Sequence, residues 1–302
     1  AMTRPRAVLP NTSAMITRRC TQRQFLLRPD QETNNAYLYC LIEAALKFDV
    51  QVVLGQMMSN HKHEEIYDRH GHRVEFCHRF HGHLAKCVNM QRGRWENMWA
   101  SKPTSVVEPE DREAWIEQLV YVATNPVKAN LVEKVEDWPG PPFVHALLNK
   151  GTLRATRPRF FRTDGTMPEE VEYSPTIPPE LGDPDEIIAE LRRRIAAVEE
   201  ECARKRTRPV LGRDRVLRQS WRDAPKSREE RRTMSPRVAS RNVDRRIGAL
   251  TECDMWLDEY QVARSLFVAG LPAVFPPGTY WLARFANVEV RSALQRAPDR
   301  AA

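Results

Sequence analysis

Several classes of protein are excluded by what this sequence of 302 residues lacks. Its six cysteines form no CxxC pair, so neither a disulfide framework nor a four-cysteine zinc site is predicted. No apolar run approaches the ~20 residues that a membrane helix needs, and no apolar signal-peptide core follows the N-terminus. These absences predict a protein of the reducing cytoplasm that does not enter a membrane.

Charge is modest overall and unevenly distributed along the chain. The 47 Lys and Arg residues exceed the 40 Asp and Glu residues, which gives a net charge of +7 and an isoelectric point near 9.2. Basic residues are concentrated in residues 204–246, where Trp221 is the only aromatic residue. We interpret this stretch either as an arm that contacts phosphates or as a solvated linker.

The first half of the chain alternates between strand and helix patterns. Apolar residues at three-and-four spacing predict helices over residues 34–48, 75–90 and 111–125. Segments rich in β-branched and apolar residues predict strands at residues 14–17, 50–58 and 104–107. This order of elements predicts an α+β fold with a central sheet.

Two histidines separated by one residue follow the strand at residues 50–58. In an extended strand His61 and His63 point to the same face, so they can offer two imidazole nitrogens to one metal ion. Ordinary surface or packing histidines are the alternative for this pair. We assign no role to the five neighbouring histidines and expect most of them to be exposed: His70, His72, His78, His81 and His83.

A tyrosine and an asparagine share one face of the predicted helix at residues 111–125. Tyr121 and Asn125 are four residues apart, which places them one helical turn from each other. A tyrosine can act as a nucleophile, and an amide oxygen can be a third ligand to a hard metal ion. Pro126 is expected to end the helix at this point.

Basic and aromatic residues before, between and after these two motifs fit a single-stranded nucleic acid. Guanidinium and ammonium groups contact phosphates, and indole rings stack on bases. Solvated arginines on an edge strand, and tryptophans packed in the core on a short helix, are the alternatives. The candidate DNA-binding residues are Arg18, Arg19, Arg23, Arg92, Arg94, Trp95, Trp99, Lys102 and Lys128.

The segments NHKH, RGRWENMW and YVATNPVKANLVEKVEDWPG, in this order, resemble the HUH single-tyrosine transposases, specifically the REP-associated tyrosine transposase group. The resemblance covers roughly residues 7–145. It implies a ferredoxin-like core with an antiparallel sheet, and an enzyme that nicks and rejoins single-stranded DNA at hairpins. Such a protein is expected to be cytoplasmic, nucleoid-associated and commonly dimeric.

The resemblance also implies a role for each site residue. His61 and His63 correspond to the paired ligands of Mg²⁺ or Mn²⁺, and Asn125 completes that metal site. Tyr121 corresponds to the nucleophile, which would form a 5′-phosphotyrosine intermediate and release a free 3′-OH. A DNA-binding protein that has lost this chemistry is the first alternative, and an unrelated metal hydrolase that uses Asp68 as a ligand is the second.

One residue departs from the family pattern. Lys62 stands between the histidines, where an apolar residue or another histidine is usual, and two glutamates follow. A buried charge costs several kcal/mol unless it is paired. Either this strand is frayed, or Lys62 pairs with Glu64 or Glu65 at an edge of the sheet.

The predicted organisation has three parts. Residues 3–150 form the nuclease domain, residues 151–182 a connector that acts as a hinge, and residues 183–302 a mainly helical, basic extension. Within the extension a helix over residues 186–205 is capped by Asp183 or Asp185, and its apolar seam packs against the same chain or forms a dimer zipper. A second helix over residues 253–271 and the aromatic residues at 275–288 predict a small folded C-terminal module.

Overall fold

The computed structural model describes residues 5–227 and 236–292 of the chain. Part of the predicted basic arm, residues 228–235, therefore lies outside the described residues. The elements of the first half are β1 (Thr12–Arg19), α1 (Gln31–Phe48), β2 (Val50–Met57), β3 (His61–Asp68), α2 (Arg73–Gln91), β4 (Ser105–Pro109) and α3 (Arg112–Lys128). The fold is α+β, as the alternating patterns predicted.

After these follow α4 (Phe143–Leu148), β5 (Leu153–Thr156), β6 (Glu170–Tyr173), α5 (Pro184–Lys205) and α6 (Arg213–Arg218). The last elements are β7 (Val238–Ala239), α7 (Val243–Val268), β8 (Val274–Phe275), α8 (Trp281–Phe285) and β9 (Glu289–Val290). Among the described residues, no helix is long and apolar enough to cross a membrane.

The central sheet has five strands in the order β2-β3-β1-β4-β7. Strands β1 to β4 pair antiparallel, and with α1 and α2 they follow the β-α-β-β-α-β order of a ferredoxin-like unit. Strand β7 joins β4 in parallel, so the sheet is mixed and the purely antiparallel expectation was wrong. The reason is that the extension supplies a fifth strand to the edge of β4.

Helix α3 continues past the proline that was expected to end it. Pro126 lies inside the helix, which ends at Lys128. A proline removes only one backbone hydrogen bond here, close to the C-terminus. Val127 is buried and holds the last turn in place, and the amide of Ala129 still donates to the carbonyl of Asn125 at 3.0 Å.

The segment predicted to be a hinge is packed against the core. Strands β5 and β6 pair antiparallel, and Leu153 and Val171 are buried in the same hydrophobic cluster as α1. The hydroxyl of Tyr173 donates to the carbonyl of Val52 at 3.0 Å and accepts from its amide at 2.8 Å. These contacts attach the connector to β2, which a freely moving hinge would not allow.

Helix α5 packs against α3, which confirms the intrachain interpretation of its seam. Ile187, Leu191 and Ile195 are the buried residues of α5. The side chain of Asp183 accepts hydrogen bonds from the amides of Asp185 and Glu186, at 3.0 and 2.9 Å, so Asp183 is the cap. Part of the extension is thus continuous with the core.

The C-terminal region forms only part of the predicted aromatic core. Tyr260 stacks on Trp256 with ring centroids 5.3 Å apart and meets Phe275 edge-on. Trp281 and Phe285 remain 63% and 65% exposed, although they stack on each other. The aromatic module therefore buries Phe275, half-buries Trp256 and Tyr260, and leaves the rings of α8 at the surface.

Candidate active site

The two histidines of β3 and two residues of α3 come together on one face of the sheet. The rings of His61 and His63 lie 4.9 Å apart between centroids, and Tyr121 meets His63 edge-on at 5.3 Å. The amide nitrogen of Asn125 lies 3.4 Å from Nε2 of His63. Tyr121 is 37% exposed, so its side chain can be reached from solvent. The structure places the four predicted catalytic and metal-ligating residues in one cluster.

Each imidazole is oriented by a neighbour on its other nitrogen. Nδ1 of His61 lies 2.7 Å from Oδ1 of Asn60, and the Asn60 amide nitrogen donates to the carbonyl of Arg23 at 3.2 Å. This arrangement assigns a proton to Nδ1 of His61 and leaves Nε2 with its lone pair. Nδ1 of His63 lies 2.8 Å from the hydroxyl of Thr17 on β1, the residue that pairs with His63 across the sheet.

Burial favours the neutral form of both imidazole rings. Burial lowers the pKa of His61 to about 4, and Arg19 adds to the shift, whereas a hydrogen bond with Asn125 opposes it. Burial also lowers the pKa of His63 well below its ordinary value, with smaller contributions from His61 and Lys62. Neutral imidazoles keep the Nε2 lone pair free for a metal ion.

The donor set fits one divalent cation. Two imidazole nitrogens and one amide oxygen would supply three ligands, which leaves further positions for water or a phosphate oxygen. Imidazole donors suit Mn²⁺ or a similar transition metal better than Mg²⁺, which prefers oxygen. Among the described residues, no group of three or more His, Cys, Asp or Glu side chains is placed to hold a metal. Asn125 is the further polar side chain in contact with this histidine pair.

Lys62 lies on the opposite face of β3 and does not enter the site. Its side chain is fully buried and pairs with Glu64, whose other carboxylate oxygen accepts from the hydroxyl of Tyr37 at 2.8 Å. The ammonium also lies 4.4 Å from the centre of the Phe80 ring. Burial lowers the pKa of Lys62 and raises that of Glu64, and the pairing opposes both shifts.

The expected pairing of Lys62 with Glu64 is present, but its expected position at an edge was wrong. Strand β3 lies between β2 and β1 in the sheet, and it is continuous from His61 to Asp68. The strand is also not frayed. The ion pair is tolerated in the interior because each charged group has a partner and the Lys62 ammonium packs against an aromatic ring.

The other acidic residues of β3 do not reach the metal-ligating atoms. Asp68 accepts hydrogen bonds from the backbone amides of His70, His72 and Arg73, so it anchors the start of α2. The hydrolase alternative required Asp68 to be a metal ligand, but its carboxylate is occupied by these backbone amides. Glu65 is buried, and burial raises its pKa well above the ordinary value.

Two of the predicted DNA-binding residues lie beside the site. Arg19 stands opposite His61 in the pairing of β1 with β3, and its charge helps to lower the pKa of His61. The ammonium of Lys128 lies 5.6 Å from the centre of the Tyr121 ring. Both cations are therefore close to where a phosphate would meet Tyr121.

Three other predicted DNA-binding residues are used inside the protein. Arg18 lies on the Lys62 face of the sheet, where it contacts His81 at 2.9 Å and the ring of Trp99 at 5.2 Å. Trp99 is 9% exposed, and its indole donates to the carbonyl of His81 at 2.9 Å. Arg92 donates to Asp30 at 2.7 Å, which ties the end of α2 to the cap of α1.

This inner network also corrects an expectation about the histidines. His81 was expected on a face of the helix away from the core, but it is 3% exposed. The reason is that Arg18 and Trp99 cover this side of α2. Periodicity alone could not show this, because the covering residues belong to β1 and to the loop before β4.

The remaining predicted residues lie at the surface, around the loop before β4. Trp95 is 91% exposed, and Lys102 is also exposed. Arg94 donates to Gln24 at 3.4 Å, and Arg23 donates to the hydroxyl of Ser227 at 3.0 Å. Trp95 is thus available for stacking on a base, whereas Trp99 is a core residue.

Sequence reasoning missed the two residues that orient the imidazoles. Asn60 directly precedes His61, and this adjacency was a usable signal. Thr17 lies 46 residues before His63 and becomes its neighbour only through the pairing of β1 with β3. No spacing in the sequence identifies it.

Comparisons with known proteins give two solved structures of interest. No family model matches the chain, and no curated protein matches it. A REP-associated tyrosine transposase bound to a REP hairpin is 15% identical, with a TM-score of 0.42, over 56% of this chain and 98% of that one. A candidate transposase from Deinococcus radiodurans R1 is 15% identical, with a TM-score of 0.28, over 35% of this chain and 85% of that one.

Proposed function

We propose that this protein is a metal-dependent endonuclease and strand transferase for single-stranded DNA, with Tyr121 as the nucleophile. The observation that supports it is the convergence of Tyr121 and Asn125 from α3 on His61 and His63 from β3. A phenol beside two imidazoles and an amide offers a nucleophile together with ligands for an activating metal ion, which suits phosphodiester cleavage through a covalent tyrosine intermediate.

The chemical step exchanges one phosphate ester for another. The Tyr121 oxygen forms a bond to phosphorus, and the bond from phosphorus to the 3′ oxygen of the neighbouring nucleotide breaks. The phenol releases its proton to solvent, and the departing 3′ oxygen takes up a proton. Because the phosphotyrosine ester keeps the energy of the original diester, the freed 3′-OH can attack it and rejoin the strand without ATP.

Residues around Tyr121 support this step. Lys128, whose ammonium lies 5.6 Å from the ring centre, stabilises negative charge that develops on the phenol oxygen and the phosphate. His61, His63 and Asn125 would hold Mn²⁺ or Mg²⁺, which when bound polarises the phosphate and offsets its charge. Arg19 adds positive charge beside His61, where the substrate backbone would enter.

Recognition of a hairpin is assigned to the surface loop before β4. Trp95 is nearly fully exposed, and Arg94 lies next to it on a loop with Gly93 in a left-handed conformation at a φ of 61°. An exposed indole beside a guanidinium suits an unpaired base and its phosphate. We assign no DNA contact to Arg18, Arg92 or Trp99, because each is used within the core.

The test is a search for the covalent adduct. The wild-type protein is incubated with Mn²⁺ and a labelled library of single-stranded DNA hairpins with randomised flanks, and then separated on a denaturing gel. We expect a labelled protein band that Tyr121→Phe lacks entirely. Sequencing the DNA recovered from the band gives the cleavage site.

A matched control is Trp95→Phe, which changes an exposed aromatic residue in the loop before β4. Trp95→Phe keeps the nucleophile and should still give the adduct, although with a weaker preference for hairpins. If the wild type gives no more adduct than Tyr121→Phe with any member of the library, the proposed chemistry is excluded. Hairpin binding without an adduct would instead identify a DNA-binding protein.

A further inference from the structure

A groove begins at the side chain of Tyr121 and follows the seam between α3 and α5. Its first part is a cavity of about 510 Å³ whose lining includes Tyr121, Lys128, Val198 and Arg241. Its second part, of about 470 Å³, is lined in part by Lys128, Val198 and Arg208. Both parts share Lys128 and Val198, so they adjoin each other along this seam, and we treat them together as one groove.

The groove carries positive charge along its walls. Only two acidic side chains line it, Glu117 and Glu201. Six cationic side chains line it: Lys128, Arg194, Lys205, Arg206, Arg208 and Arg241. Arg241 pairs with Glu117, and Arg194, Lys205 and Arg206 pair with carboxylates as well, so the excess of positive charge is carried mainly by Lys128 and Arg208. This excess favours a polyanion over a neutral or basic partner.

Several of these cations are held in position by acidic neighbours. Arg194 donates to both carboxylate oxygens of Glu113 at 2.7 Å, and Arg206 donates to Glu133 at 3.2 Å. Lys205 donates to Glu201 at 2.5 Å. A pre-positioned cation loses less conformational entropy when it contacts a phosphate.

Most of the cations in the groove belong to the part of the chain after α3. Lys128 is the one cation from α3, and the other five come from α5, the loop after α5, and the segment after β7. Backbone hydrogen bonds fix that loop against the end of α3, from the amide of Leu211 to the carbonyl of Asn130 at 3.1 Å and from Gly212 to Leu131 at 2.8 Å. The groove is thus a fixed feature of the fold.

The shape of the groove suits one strand of nucleic acid. Small and apolar side chains lie between the cations, including Met15, Val120 and Ala197. From Arg194 to Lys205 helix α5 rises by about 16 Å, at ~1.5 Å per residue. That length accommodates roughly four or five nucleotides at the ~3.4 Å spacing of one strand, and fewer if the strand is stretched.

We propose that this groove binds the single-stranded DNA flanking the phosphate that Tyr121 attacks, so that the extension forms part of the substrate channel. This inference rests on the proposed function, because Tyr121 fixes one end of the groove as the reaction centre. Phosphates would lie along the cations, and sugars and bases along the apolar floor.

The test compares two charge-matched double variants in the Tyr121→Phe background, where DNA binds without being cleaved. Lys205→Ala with Arg208→Ala removes two cations of the groove. Arg193→Ala with Arg204→Ala removes two cations of the same region of α5 that do not line the groove. The probes are a DNA hairpin with oligothymidylate flanks on both sides and the same hairpin without flanks, measured by fluorescence anisotropy over a range of salt concentrations.

We expect the groove variant to bind the flanked hairpin roughly tenfold more weakly. The slope of the logarithm of the binding constant against the logarithm of salt concentration should become less steep by about 1.4, which is ~0.7 for each of two lost phosphate contacts on a single strand. The affinity of the groove variant for the hairpin without flanks should be unchanged. The control variant should stay within about twofold of the parent for both probes, because neither Arg193 nor Arg204 lines the groove and neither would contact a phosphate in it.

Equal affinity of the groove variant and its parent for the flanked hairpin would overturn the inference. An equal loss for both probes would overturn it as well, because the cations would then contact the hairpin itself. Failure of the proposed function is distinct from both results, since it would appear as the missing adduct with wild-type protein.

Discussion

The two faces of strand β3 carry opposite kinds of polar structure. His61 and His63 face α3, where their ring nitrogens contact Asn60, Thr17 and Asn125, next to a tyrosine that solvent can reach. Lys62 and Glu64 face α1 and α2 as a sealed ion pair with no exposed surface. Alternate residues of one strand therefore differ in their surroundings. The two histidines lie beside a solvent-accessible side chain, whereas Lys62 and Glu64 satisfy each other's charge inside the protein.

The largest expected effect on stability comes from breaking the sealed face. Lys62→Met leaves Glu64 buried without its cation, which should lower the free energy of unfolding by about 3–5 kcal/mol. In the double variant with Glu64→Gln the buried charge is gone, and the glutamine oxygen can still accept from the hydroxyl of Tyr37. Most of the lost stability should therefore be recovered. Urea denaturation measures both variants.

A matched variant on the open face sharpens the contrast. His63→Gln should change stability by less than Lys62→Met does, yet it should abolish stabilisation by Mn²⁺ in the same unfolding experiment. If His63→Gln is the more destabilising of the two and Lys62→Met is tolerated, the division of roles between the faces is wrong.

A smaller effect is expected from proton binding on the open face. The pKa of His61 is lowered to about 4 in the folded protein, against an ordinary value near 6.5. Between these values the unfolded chain binds more protons, so the free energy of unfolding should rise as the pH is raised from about 4 to about 6.5. We expect His61 to contribute on the order of 1–3 kcal/mol to that rise, measured by urea denaturation at several pH values.

The control for this pH dependence is an exposed histidine on α2. His61→Asn should make the rise smaller, with the remainder coming from His63 and the buried His81, and His78→Asn should leave it as in the wild type. An equal slope in His61→Asn and in the wild type would show that burial does not hold this ring neutral.

The smallest effect is expected from the hydroxyl that orients His63. Thr17→Val keeps the shape of the side chain but removes the contact with Nδ1, which should weaken Mn²⁺ binding by about 10- to 100-fold. Thr17→Ser keeps the hydroxyl and should retain most of the affinity. Calorimetric titration with Mn²⁺ measures both, and equal affinities would exclude an orienting role for the hydroxyl.

Local patterns predicted the three long helices of the first half and strands β1, β2 and β4 to within a few residues. Most of their ends moved by one to three residues, and for α1 the reason is that its cap, Asp30, lies outside the apolar repeat. Side-chain positions were harder to predict. The two tryptophans of the basic loop look equivalent in the sequence, yet Trp95 is exposed and Trp99 is packed on His81.

The errors share a physical cause, which is contact between distant parts of the chain. Lys62 was predicted at an edge because its neighbours in sequence are polar, but the sheet order places β3 in the interior. Thr17 becomes relevant only after β1 pairs with β3. Strand β7 is two residues long, so it has no periodicity from which it could have been predicted.

That short strand has a consequence for how the protein can be divided. Backbone amides of Glu108 and Glu110 donate to the carbonyls of Arg237 and Ala239, each at 2.9 Å, so β7 covers the open edge of β4. A chain shortened before β7 would expose that edge, and exposed edges pair with other molecules. The extension thus covers this edge of the central sheet, and a chain shortened before β7 is expected to self-associate through β4.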